Sequence, residues 1–137
     1  MALTAVGPYS LTVKPDTANT STSNPQGGSF KTVAVGSNSF KRVIERLQAA
    51  ALGDIVESVI FFALYDGTNA RLWPGSTIRV PKWTTRLNDV PVVSPWCVSV
   101  PMPDGKPIEF VDNTWSIITW VYTSQAILAS SGGKDWS

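Results

Sequence analysis

The sequence predicts a mainly β protein, an antiparallel β-sandwich or barrel carrying one amphipathic helix at about residues 39–52. Three observations point there. Residues 55–65 (IVESVIFFALY) and 115–122 (WSIITWVY) become apolar on both alternating positions, as strands buried on both faces are. Prolines recur at 74, 81, 91, 95, 101, 103 and 107, so the strands among them must be short or marginal. Only one stretch has convincing helical spacing, too little for a doubly wound α/β fold.

Taken in order, residues 1–29 read as a polar N-terminal arm and residues 30–137 as a single β-rich domain. Within the arm, Tyr9, Leu11 and Val13 alternate with Ser10 and Thr12, enough to add one strand. Residues 16–28 (DTANTSTSNPQGG) have the composition of a linker and a single charge, Asp16. A nucleic-acid-binding arm would instead be rich in Lys and Arg. Residues 30–35 form a short strand ended by Gly36-Ser37-Asn38-Ser39, small polar residues suited to capping a helix. Phe40, Val43, Ile44, Leu47 and Ala51 then fall on one helical face, with Lys41, Arg42, Glu45 and Arg46 on the other and Gly53 as a stop.

Val59, Ile60, Phe61 and Phe62, followed by Asp66-Gly67, make residues 55–65 a strand rather than a second helix. Further strands are expected at 77–83, 90–93, 96–100, 108–111 and 115–122, with a turn at Pro103-Asp104-Gly105. Proline fixes φ there, and glycine accepts a positive φ. The tail, residues 125–137, has no decisive pattern, and no internal repeat is visible.

Composition narrows the function. With 137 residues and 43% hydrophobic content, one domain can bury roughly two thirds of its unfolded surface. Only 15% of residues are charged, against roughly 25% in ordinary soluble proteins, and 11 cations nearly balance 10 anions. That balance lets copies pack closely with little electrostatic cost. Histidine is absent, which removes Ser-His-Asp and Cys-His catalysis and the common zinc, copper and non-haem iron centres. Neither a cofactor nor a metal is expected. The lone Cys97 reads as a small buried thiol, since its nearest cation in sequence is Lys106. No basic-led signal peptide and no apolar run of about 18 residues is seen, so no membrane helix is expected.

Few residues carry candidate chemistry. The close carboxylate pairs Asp54/Glu57 and Glu109/Asp112 read as loop or strand-end charges rather than a glycosidase pair. The doublets Gly27-Gly28 and Gly132-Gly133 lack phosphate-loop spacing. Among six tryptophans, Trp96, Trp115 and Trp120 sit in strand patterns and belong to the core. Trp73, Trp83 and Trp136 lie beside prolines and cations or in the tail, which makes them candidates for interface contacts. Between residues 67 and 88, Arg71, Arg79, Lys82 and Arg86 occur without an acid. They are candidates for nonspecific nucleic-acid contact or inter-subunit salt bridges.

The order of polar arm, short strand, amphipathic helix and long apolar strand across residues 29–65 (SFKTVAVGSNSFKRVIERLQAAALGDIVESVIFFALY) resembles part of a jelly roll in coat proteins of small icosahedral viruses and phages. The likeness covers about a quarter of the chain and rests on pattern, without a diagnostic motif. The arm lacks the strong basic character of many such proteins, and the chain is short for eight full strands. The resemblance implies no catalytic residues. It implies a virion component (capsid, coat or tail) that self-assembles, contacts other virion proteins, and is put together in the host cytoplasm. A β-sandwich carbohydrate-binding module, with exposed coplanar tryptophans, is the alternative.

Overall fold

Alternating and doubly apolar runs pair here into two antiparallel sheets facing one another. The computed structural model describes residues 3–13, 30–52, 55, 57–83, 86–87, 90–91, 97–121 and 127–136. Among the described residues, twelve strands follow in chain order: β1 Leu3–Val13, β2 Lys31–Val35, β3 Lys41–Ala51, β4 Ser58–Tyr65, β5 Ala70–Arg71, β6 Thr77–Val80, β7 Arg86–Leu87, β8 Val90–Pro91, β9 Val98–Ser99, β10 Ile108–Phe110, β11 Ser116–Val121 and β12 Ile127–Trp136. The first sheet runs β1-β12-β3-β10, with β9 also on β3. The second runs β2-β11-β4-β5, with β6 also on β4. β7 and β8 form a separate pair. A sandwich-like β fold is therefore what the chain adopts.

The largest correction concerns residues 39–52. No helix forms there. Residues Lys41–Ala51 are a strand, flanked by β12 on one side and by β9 and β10 on the other. The helical spacing has a geometric origin. Gly132 stands opposite Arg46 while Gly133 stands opposite Ile44, so Glu45 is an extra residue in β3, a β-bulge. The inward positions step from Ile44 to Leu47, then to Ala49 and Ala51, all buried. A stride of three followed by strides of two reproduces the i, i+3, i+7 signature of a helix. Gly36–Ser39 consequently leads into a strand, and caps no helix.

The bulge also explains the Gly132-Gly133 doublet. A Cβ on Gly133 would run into the Val43 carbonyl oxygen, and one on Gly132 into the Arg46 guanidinium. β1 is bulged at the same level, between Val6 and Tyr9. Two bulges flanking a glycine pair let three long strands bend together. The expected strand at 9–13 extends back to Leu3, and residues 14–29 lie outside the described residues.

β4 and β11 are interior strands of the second sheet, as their doubly apolar character predicted. Alternate residues face opposite ways. Ile60, Phe62, Ile117 and Val121 face the first sheet and pack with Ile44, Leu47 and Ile127 in the main core. Phe61, Ala63, Ile118 and Trp120 form a second cluster on the outer side, with Phe61 and Trp120 stacked at 5.3 Å. The buried Thr119 hydroxyl donates to the Phe61 carbonyl at 2.7 Å, which satisfies it within the layer.

Prolines interrupt both marginal ladders at one side of the sandwich. Between β5 and β6 the chain turns through Pro74-Gly75, with φ 85° at Gly75 and Ser76 N–H donating to the Trp73 carbonyl at 3.0 Å. Between β9 and β10 it turns through Pro103-Asp104-Gly105, where Gly105 takes the expected positive φ, 69°. The interruptions meet: the Trp73 indole N–H donates to the Pro101 carbonyl at 2.8 Å.

Candidate interaction surface

The basic residues close in sequence do not share a face. Arg71 of β5 pairs with Leu64 of β4, and Arg79 of β6 pairs with Val59. Positions 64 and 59 have opposite parity on β4, so the two guanidinium groups leave opposite faces of the sheet. Arg71 lies 6.0 Å from the Trp115 ring centroid, at the outer limit of a cation–π contact. Arg79 bonds Glu57 at 2.9 Å, both side chains being largely exposed. Lys82 is exposed. Arg86 of β7 stands opposite Pro91 of β8, and its side chain lies outside the described residues.

The aromatic candidates separate as well. Trp73, nominated for an interface, is a core side chain 8% exposed, because its indole fills the gap where the two proline-interrupted margins meet. Trp83 is half-buried against the main core, and its backbone exchanges two hydrogen bonds with Ile55 at 2.7 and 3.1 Å. Trp136 is half-buried at the end of β12, between Leu3 of β1 and Lys41 of β3. Trp120 is a core residue and Trp115 packs against the core, as their strand patterns indicated. Trp96 lies outside the described residues. Cys97 is exposed, not buried: it directly precedes the two-residue strand β9, and so short a marginal ladder offers a neighbouring side chain little cover.

Most of the described carboxylates have a partner within the molecule. Glu45 pairs with Lys134 at 3.7 Å, Glu57 with Arg79, and Glu109 with Lys41 at 3.2 Å. Asp66 accepts from the backbone N–H groups of Asn69 at 2.7 Å and Thr68 at 2.8 Å, which lowers its pKa. Asp112 is lowered in the same manner, first by the Thr114 backbone N–H and then by its hydroxyl. Glu109 and Asp112 thus turn to different partners, as does Glu57, and Asp54 lies outside the described residues. No group of three His, Cys, Asp or Glu side chains able to hold a metal ion occurs among the described residues.

One charged site could not be read from sequence. Arg42 on β3 meets Asp135 on β12 through two bonds, Nε to Oδ1 at 2.9 Å and Nη2 to Oδ2 at 3.2 Å. Its Nη1 donates to the Val35 carbonyl of β2 at 2.9 Å, so one guanidinium fastens the two sheets together. The side chains are 11% and 12% exposed. The partners lie 93 residues apart, and no local pattern marks either. Ser131 adds a second buried tie between sheets, donating to the Val33 carbonyl at 3.1 Å. No protein-family model, curated protein or solved structure matches this chain.

Proposed function

We propose that the protein is a virion structural component (capsid, coat or tail) that self-assembles through repeated contacts between copies. The observation that carries this reading is the local neutralisation of a charge-poor surface. Glu45, Glu57 and Glu109 each face a cation within the same molecule. Copies of such a sandwich can approach without like-charge repulsion, and each contact needs to supply only modest burial when every subunit has several neighbours. The virion would be its location, assembled in the host cytoplasm, with other virion proteins as further partners.

The division of Arg71 and Arg79 between two faces gives little support to a dedicated nucleic-acid groove, so any such contact would be nonspecific and salt-sensitive. A carbohydrate-binding module needs exposed, coplanar indoles. Trp73 and Trp120 are buried, and Trp83, Trp115 and Trp136 are half-buried, which leaves that alternative without its platform among the described residues.

Size-exclusion chromatography with light scattering, followed by electron microscopy, tests the reading. Rings, tubes or closed particles are expected. A chain that stays monomeric at high concentration and is retained by a glycan column would overturn it in favour of the lectin. Nuclease treatment of any particles, read by the loss of absorbance at 260 nm, decides whether nucleic acid is inside.

A further inference from the structure

We infer that copies of this chain join edge to edge, β1 against the β1 of a second copy, in an antiparallel two-fold pair. This rests on the assembly reading and names its contact.

β1 stands at the margin of the first sheet, joined to β12 through nine residue pairs. Among the described residues no strand pairs with its other edge. A marginal strand exposes unpaired N–H and C=O groups, and proteins blunt such edges with shortness, charge, proline or bulges. The other margins follow that rule. β2, β5, β6, β9 and β10 run only two to five residues. Lys31, Arg71, Arg79 and Glu109 place a charge on four of these five.

β1 departs from it. The strand is 11 residues long (LTAVGPYSLTV) and contains no charged residue. Among the described residues its protection is the Gly7-Pro8 bulge, which spoils the ladder between Val6 and Tyr9 and leaves residues 9–13 regular. A charge-free edge is compatible with itself, and a two-fold axis satisfies both edges with a single contact. An antiparallel pair centred on Leu11 sets Ser10 of one copy opposite Thr12 of the other, and joins two five-stranded sheets into one of ten.

The test is a double variant, Ser10→Lys with Thr12→Lys, compared with the unaltered full chain by light scattering over a dilution series. Two like-charged pairs then face each other across the contact, each weakening it roughly threefold, so the concentration needed for assembly rises about tenfold. The melting temperature of the dilute variant should match the parent's. Because the variant could fail to fold, hydrogen exchange on the unaltered chain provides an independent reading. Amides of residues 9–13 should gain protection on passing from dilute to assembled protein. Assembly of the folded variant at the parent's concentration, or no gain of protection in β1, overturns the edge contact and leaves self-assembly standing. A parent chain that never associates overturns both.

Discussion

Removing Asp135 is the sharpest probe of what holds the two sheets in register. In Asp135→Ala the Arg42 guanidinium loses bonds of 2.9 and 3.2 Å and keeps its donation to the Val35 carbonyl. With only 11% of the Arg42 side chain exposed, water can restore little of the loss. Breaking a buried pair on one side costs about 3–5 kcal/mol, and the surviving bond and residual exposure place this case near 3. That is a large fraction of a typical total of about 5–15 kcal/mol. The corresponding fall in Tm is about 10 °C for a chain of this length. Urea unfolding of dilute protein measures the change directly, the midpoint moving while the slope stays constant. The double variant Arg42→Met with Asp135→Leu removes both charges and should recover most of the loss, since an apolar pair of similar volume needs no compensation. A loss below about 1 kcal/mol in Asp135→Ala, or no recovery in the double variant, would refute the claim that this ion pair clasps the sheets.

Three further outcomes follow from other contacts. Gly133→Ala should cost at least about 2 kcal/mol in the same assay, because the added methyl meets the backbone carbonyl of Val43, which cannot rotate away. Trp73→Phe removes the 2.8 Å donor from the Pro101 carbonyl while keeping most apolar volume, so a loss of about 1–2 kcal/mol is expected. A hydrogen-exchange increase confined to the chain around Pro74 and Pro101 would accompany it. Asp66 and Asp112 have folded-state pKa values below their ordinary 3.8, so their stabilisation is present above pH 4 and is lost as pH falls through the lowered values. Asp66→Asn with Asp112→Asn should therefore flatten the stability curve below pH 4, and an unchanged acid limb would contradict it.

Strand existence was legible wherever the signal was local. The doubly apolar run through Phe61 and Phe62 and its counterpart through Trp120 declared two interior strands, and the prolines declared the short marginal ones. The run from Phe40 to Ala51 misled because its bulge is induced by strands far along the chain. A bulge inserts one residue into a period of two, and a stride of three in isolation is a helical stride. Gly132-Gly133 was the only trace of the true geometry, and its meaning needs β3 beside it. The tail from Ile127 to Trp136 gave no local signal, yet it is a strand central to the first sheet.

Site residues divided along the same line. Sequence proximity grouped Arg71 with Arg79, but strand parity set them on opposite faces. It marked Trp73 as a contact residue, but Pro101, 28 positions away, closed over the indole. The sequence alone determined a charge-poor β protein without histidine chemistry, because composition and alternation are properties of each segment by itself. Only the tertiary structure decided which strands lie side by side, where the bulges fall and that Arg42 meets Asp135. Those depend on contacts between distant segments, whose free energy outweighs local preference.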